Sequence, residues 1–537
     1  MREELIMAEM KKKRRFELGT AEYTKFFFAL IFIGMVFIPL IRMFSYMDAD
    51  SFRRVVTAPN FGEAVLNSIV SALLGTIVTV IVAFFLALCI KRTNIRLKGL
   101  FGIIFLLPML LPSISHGMGL VILLGNNGLL TRLFHIQGNI YGLAGIIIGA
   151  VLYAFPVAYL MLSDVLDYED GSAYEAAKVL GIPKARQFTG IMLPFLRKPL
   201  ISVIFSIFTL IITDYGVPLM VGGKYTTIAT VMYQEVVGQL DFSKGTVYGA
   251  FLLIPAVIAF IIDLLNKDRG NSGYVTKPCA PTDSKTATIG AYLYCTLVSL
   301  ATLLPLVAFI LLAFTTDYPN DLTFTLKNVI QAFDLRAGDY FINSLLIAAG
   351  TAVFGTAVAF MTAYLSARMK SKISRFLHLS AMTSAAIPGM VLGLSYVLVF
   401  NKTPIYGTII VLMLVNVVHF IASPYLMIYN SMCKINENLE DVAHTMGIKR
   451  FYLIRDVLIP QCKHTIFEML SYFFVNCMMT ISAVSFLATT MNKPVSLMIN
   501  QFEAQMQLEC AAVVSLMILF ANLIIKGIVH IIKTRRI

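Results

Sequence analysis

Charge is what this sequence has least of. Only 14% of its 537 residues are Asp, Glu, Lys or Arg, 58% are hydrophobic, and the mean hydropathy is +0.80. Soluble domains average roughly 25% charged and about 45–50% apolar residues, so the shortage excludes a water-soluble globule and identifies an integral membrane protein. Catalytic signatures are missing too. There is no GxxxxGK[ST]; the nearest string, "GGKYTT" at Gly222, lacks the first glycine and has Tyr after Lys. Without HExxH, GxSxG or a cluster of His with acids on one expected face, a membrane enzyme is disfavoured. The seven cysteines carry no CxxC spacing. Cys89, Cys279, Cys433 and Cys462 fall in or beside expected cytoplasmic segments, and Cys295, Cys477 and Cys510 fall within spans, so neither a disulfide nor a metal site is expected.

What is abundant is long apolar runs. Each is enough to cross a ~30 Å hydrocarbon core as a helix, which satisfies its own backbone in lipid. Twelve are expected, at 24 to 44, 65 to 90, 100 to 124, 140 to 162, 199 to 220 and 246 to 265, then 289 to 314, 343 to 367, 376 to 400, 405 to 429, 465 to 488 and 509 to 532. The first reads as a retained span: "MKKKRRF" is followed by "ELGTAEYTK", then by a run as long as the others, with no small-residue cleavage site. With residues 1 to 25 inside, the inside segments hold 33 of the 43 Lys and Arg, as the positive-inside bias requires. Both termini are therefore expected in the cytoplasm. The net charge of +13 is accounted for by basic loops facing anionic membrane lipid, and no nucleic acid is needed to explain it.

The chain repeats itself. "EAAKVLGIPKARQFTGIMLP" is echoed 266 residues on by "DVAHTMGIKRFYLIRDVLIP", taking Gly181 to Gly447 and Pro194 to Pro460. An offset of 276 takes Asn67 to Asn343, Pro112 to Pro388 and Gly117 to Gly393, and a shorter offset of 265 takes Ile140 to Ile405. A gap in the outside loop "NNGLLTRLFHIQGN" against "NKTP" reconciles them. Residues 1–265 and 289–537 are thus two repeats of six spans. Six is even, so they are parallel repeats about an axis along the membrane normal. Residues 266–288, rich in Gly, Pro, Ser, Thr and charge, read as a flexible cytoplasmic linker.

Between the fourth and fifth spans, "SAYEAAKVLGIP" predicts a short helix with Ser172 as N-cap and Glu175 completing a capping box. Gly181 then supplies a positive φ at the helix end, and Pro183 opens a second helix. A lone copy of this pattern fits a mere surface helix. Two copies, each with Pro thirteen residues after Gly, do not.

Glu175-Ala176-Ala177, Gly181, Ile191 and Leu193-Pro194 resemble the EAA motif of permease subunits in type I binding-protein-dependent ABC importers. Asp441-Val442-Ala443, Gly447, Val457 and Ile459-Pro460 resemble a degenerate second copy. The resemblance spans essentially the whole chain. It implies an all-α fold of two fused six-helix permease domains, with Glu175, Ala176, Ala177 and Gly181, and Asp441, Val442, Ala443 and Gly447, docking two copies of an ATP-binding subunit. By the same resemblance an extracytoplasmic binding protein delivers the solute across a bacterial cytoplasmic membrane, and ATP and Mg²⁺ are used by the partner, with no cofactor held here. "DYGVPLMVGGKYTTIATVMYQEVVGQLDFSKG" is most similar to the ferric-iron and 2-aminoethylphosphonate branch; relatives of that group handle thiamine, polyamines and sulfate.

For the pathway, Thr213, Asp214 and Tyr215 at the end of the fifth span are expected to face Asn476, Thr480 and Ser482 of the counterpart span, the eleventh. Asp214 also suits a place in water or beside a helix terminus. Ser113, Ser115 and His116 lie in a proline-punctuated span, where His116, like His419, suits a satisfied interhelical residue. The other class with six-plus-six parallel repeats, the secondary transporter, needs ion-coupling carboxylates deep in the bundle. Asp164, Asp214 and Asp263 instead lie toward span ends, and such a protein has no reason to repeat the loop.

Overall fold

A computed structural model describes residues 22–135, 139–266, 277, 279–281, 284–318 and 320–534. The basic segment before residue 22, most of the linker and the final Arg535 and Arg536 lie outside the described residues. Eight helices are long and apolar enough to cross a membrane: Glu22–Ser45, Phe61–Arg92, Leu143–Asp167, Lys184–Ile212, Phe242–Asn266, Lys285–Phe314, Ala337–Ala367 and Leu508–Thr534. Three further spans are bent pairs, Lys98–Leu110 with Ser113–Leu133, Lys372–Ala386 with Gly389–Phe400, and Ile409–Phe420 with Ala422–Cys433. Lys463–Met479, 17 residues long and hence about 25 Å at 1.5 Å per residue, occupies the expected eleventh place.

Two spans differ from the apolar runs that announced them. The fifth helix ends at Ile212 rather than 220, and the eleventh at Met479 rather than 488. The remaining apolar stretches, 213–221 and 480–488, are a short helix Gly216–Val221 and irregular turns. Both are packed inside protein, where non-helical backbone at membrane depth is tolerated.

The sharp bends have a covalent cause. The third and ninth spans turn by 103° and 110° beside Pro112 and Pro388, each of which starts a new helix because proline lacks the N–H that would continue the old one. Carbonyls freed at the first bend are paired by side chains. His116 Nε2 lies 3.1 Å from the Pro108 oxygen, and Asn522 Nδ2 donates to the Leu110 oxygen at 2.9 Å. His116 is therefore a satisfied interhelical residue.

Large apolar side chains point outward along the spans, among them Ile77, Ile81, Ile103, Val353 and Phe520. Buried contacts use small residues instead: Ala83 and Ala87 on Phe61–Arg92, Ala154 and Ala158 on Leu143–Asp167. Lipid tails give no hydrophobic drive between helices, so close backbone approach at small residues supplies the packing.

The repeat is visible in the backbone. Positive φ recurs at Gly181 and Gly447, at Gly142 and Gly407, and, without glycine, at Leu240 and Met506. Wide π turns occupy Phe188–Met192 and Ile454–Leu458, each just before the repeat-related Pro194 and Pro460. The first helix of each repeat reaches the other half. Tyr396 of the ninth span donates to the Met35 oxygen at 2.8 Å, while Tyr294 of Lys285–Phe314 donates to the Val82 oxygen at 3.2 Å and its neighbour Tyr292 accepts from Arg96 N at 2.9 Å. Glu22–Ser45 thus packs on the second repeat, and Lys285–Phe314 reaches the first while staying packed on Leu508–Thr534 of its own, a crossing that local patterning does not reveal.

Candidate functional site: two basic-face loops and the seam between the halves

The first loop is a helix, Ser172–Val179, closed by Gly181 at φ +67°. Gly181 N donates to the Lys178 oxygen at 3.2 Å and Ile182 N to the Ala177 oxygen at 2.9 Å, the bond pattern of a left-handed helix stop. The second loop repeats it: helix Leu439–Thr445, Gly447 at φ +72°, and Ile448 N to the Ala443 oxygen at 2.9 Å. Ala177 and Ala443 are buried beneath the helices. The outer surface exposes apolar side chains in a polar setting, with Val179 at 87%, Leu180 at 75% and Met446 at 69% accessibility. Val442 and Phe451 add to it.

The expected capping box is not made. Asp170 Oδ1 accepts from Ser172 N at 2.9 Å instead, because its shorter side chain reaches the backbone two residues on. Glu175 turns to the linker, where Lys277 Nζ lies 2.7 Å from its Oε1; Gly171 N also donates to the Lys277 oxygen at 2.8 Å. Asp441 has no such partner among the described residues. Pro183 is the N-cap of the next helix rather than its first residue, and that helix runs on as Lys184–Ile212. One tight turn therefore separates each exposed loop helix from a helix leading to the seam.

Each loop is tied down by an arginine that the motif does not contain. Arg92, ending Phe61–Arg92, pairs with the fully buried Glu169; Tyr174 OH donates to the same carboxylate, and Arg92 stacks 5.6 Å from the Tyr174 ring. Burial and the Glu169 bond push the Tyr174 phenol well above its usual range. Arg368, at the matching place after Ala337–Ala367, pairs with Glu440 Oε2 at 2.5 Å and donates to the Ile435 and Asn436 oxygens at 2.7 and 2.6 Å. The offset of 276 between the two arginines was the available signal. Their acids are not repeat-related, so no motif exposes the pairs.

At the seam, Tyr215 of the first half shares a 2.6 Å hydrogen bond with Ser485 of the second and stacks on Tyr233 at 4.7 Å. Asn500 Nδ2 donates to Tyr233 OH at 2.6 Å, and Ser115 meets Ser515 at 3.0 Å. Asp214 is occupied within its own half: its carboxylate accepts from Gly216 N at 3.3 Å and Val217 N at 3.0 Å, capping Gly216–Val221. Asn476 donates to the Tyr472 oxygen at 2.8 Å, and the Thr480 carbonyl accepts from Ser496 at 2.8 Å. Ser482 Oγ fills the space where a Cβ at Gly389 would sit. Of the six, Thr213 borders a cavity of about 260 Å³ between Phe205–Thr213, Ala259–Asp263, Ser384–Gly389 and His419, and Asp214 borders a much smaller one with Ser68, Ser71, Tyr153 and Thr227.

The cap makes a prediction. Asp214→Asn keeps a carbonyl acceptor for the short helix and is expected to leave transport within about twofold. Asp214→Ala removes the cap, at about 1 kcal/mol, and is expected to lower transport. Uptake by membranes holding equal amounts of each variant decides it: equal loss in Asn and Ala variants means the carboxylate charge, not the cap, is what matters.

Residues 75–267 and 355–537 each match the family described as binding-protein-dependent transport system inner membrane component. The chain belongs to that family, twice over. It is 28% identical over 493 residues to a putative ferric transport system permease protein, FbpB 1, of Haemophilus influenzae, covering 86% of this chain and 76% of the relative. A ferric transport system permease protein of Actinobacillus pleuropneumoniae is 26% identical, covering 86% and 70%. A thiamine transport system permease protein of Haemophilus influenzae is 25% identical, covering 74% and 73%. The chain is a fused, two-domain permease of an ABC importer, a multi-pass protein of the inner membrane. Membership in the family implies partners that bind ATP and solute.

Proposed function

We propose that this permease carries ferric iron into the cytoplasm, driven by two ATP-binding subunits, one on each basic-face loop. The observation that supports it best is the doubled loop: helix, left-handed glycine and helix, 266 residues apart, each exposing apolar side chains and each anchored by an arginine paired with a glutamate. A lipid-facing helix needs no such turn, and a soluble partner explains both the exposed Val179 and Leu180 and the rigid mount. With that face in the cytoplasm, the basic loops obey the positive-inside bias and the termini are cytoplasmic. An extracytoplasmic binding protein delivers the solute to the opposite face. Because the chain has no phosphate-cradling Gly-Lys loop, ATP and Mg²⁺ are used in the partner subunits and this chain catalyses no reaction.

Iron is favoured over the alternatives by the two ferric relatives, each matched over 86% of the chain. The test is reconstitution of the chain with its ATPase and binding protein in proteoliposomes. ATP-dependent accumulation of ferric iron, with none of thiamine, 2-aminoethylphosphonate, a polyamine or sulfate, is the expected result. Accumulation of one of those instead replaces the solute, and accumulation driven by an ion gradient without ATP rejects the importer mechanism.

A further inference from the structure

The seam cavity differs from a generic opening between helices in what its walls offer. Its ionisable groups are Asp263 and His419, and no Lys or Arg lines it. Asp263 forms no ion pair among the described residues, whereas carboxylates elsewhere on the basic face, such as Asp167 and Glu169, are paired. Thr209 and Thr213 spend their hydroxyl protons on the Phe205 and Thr209 oxygens, at 2.9 and 2.8 Å. Their hydroxyl oxygens therefore remain as acceptors. Ser384 Oγ and His419 Nδ1 have no hydrogen-bond partner among the described residues, so His419 is not the satisfied interhelical residue expected, but both atoms are buried behind the cavity wall rather than open to it. An anion here meets an unpaired carboxylate and no compensating cation, and like-charge juxtaposition costs several kcal/mol.

This polarity is not demanded by the fold. The repeat-related positions of Thr209, Thr213, Asp263, Ser384 and His419 are Val475, Met479, Val529, Pro108 and Ala154. The carboxylate, the imidazole and these hydroxyls are thus not repeated in the other half, where the lining residues Phe205, Leu210 and Phe260 are answered instead by Ser471, Asn476 and the cation Lys526.

We propose that this cavity is a transit site selective for positively charged solutes, with Asp263 as the residue that sets the charge preference. The proposal rests on the importer reading and deepens it by naming the solute class: a cation, including a ferric complex of net positive charge, and not sulfate or a phosphonate. No group of three or more His, Cys, Asp or Glu among the described residues could hold a metal ion.

The test reads charge preference without needing the natural solute. Ser206→Cys places a thiol on the cavity wall of the full chain assembled with its ATPase. Its modification is timed with a trimethylammonium thiosulfonate and with a sulfonate thiosulfonate of similar size, each rate normalised to a free thiol in solution. The parent chain gives the background from native cysteines, and mass analysis of the peptide holding residue 206 reports the new thiol. The cationic reagent is expected to be favoured by roughly tenfold, as one unscreened charge nearby dictates, and adding Asp263→Asn is expected to bring the ratio to about one. A ratio near one in the Ser206→Cys chain, a ratio unchanged by Asp263→Asn, or a thiol that reacts with neither reagent overturns the proposal. Failure of the wild-type chain to import iron counts against the ferric assignment alone, since the reagent ratio does not depend on it.

Discussion

Gly181→Val is expected to release the ATPase from the first loop. The residue sits at φ +67° with open space around its missing side chain, so the entire penalty is conformational, and Gly447 shares the turn at φ +72°. Holding an L-residue in the left-handed region costs roughly 1–2 kcal/mol, and more for a β-branched one. That shifts the loop between its docked and rearranged shapes by roughly 5–30-fold. The consequence is lost retention of the ATPase, or retention without solute-linked ATP hydrolysis. Gly447→Val is expected to act in the same direction at the second loop. Gly181→Asn is the discriminating control, because Asn occupies the left-handed region far more readily and fits the open space. Equal membrane abundance with ATPase lost in the Val variant and kept in the Asn variant assigns the effect to the turn. Normal retention in both valine variants would reduce these loops to surface helices.

Arg92→Met and Arg368→Met are expected to be more damaging to the protein itself. Each leaves a buried or largely buried carboxylate, Glu169 or Glu440, without its cation, and removing one partner of a buried pair typically costs ~3–5 kcal/mol. Arg368→Met also orphans the Ile435 oxygen that the guanidinium now satisfies. The loop mount then loosens while the loop helix keeps its own stop. Thermal unfolding in detergent is expected at a lower temperature, and limited proteolysis is expected to cut within 163–183 or 434–449. The double replacement Arg92→Met with Glu169→Gln removes the stranded charge and is expected to recover much of the stability. If the single and double variants are equally unstable, packing of the arginine stem rather than charge is what holds the loop.

Much of this fold was legible because lipid makes apolar length and backbone self-sufficiency the governing constraints. Eight of the runs mark long helices and three mark bent pairs, Pro112 and Pro388 stand at the two sharpest bends, and the common spacing of Gly181 with Pro194 and Gly447 with Pro460 marks the repeat. Apolar character could not tell helix from buried irregular backbone, which is why 480–488 read as span although helix stops at Met479. The crossing of Glu22–Ser45 and Lys285–Phe314 between halves was hidden because a lipid-spanning helix carries little record of its neighbours. Arg92 with Glu169 and Arg368 with Glu440 escaped notice because each pair joins segments more than 70 residues apart in sequence. The six pathway candidates rest on polarity and on their place in two repeat-related spans. Polarity does not say whether a side chain faces a solute or, like Asp214, a helix end.

The central claim is that one chain supplies two docking loops to two ATP-binding subunits. Native mass measurement of the complex purified through a tag on this chain tests it most directly. The expected composition is one copy of the permease and two ATP-binding subunits, falling to one ATP-binding subunit when Gly181→Val disables the first loop. Two copies of the permease in one complex, or a single ATP-binding subunit on the unmodified chain, would contradict it.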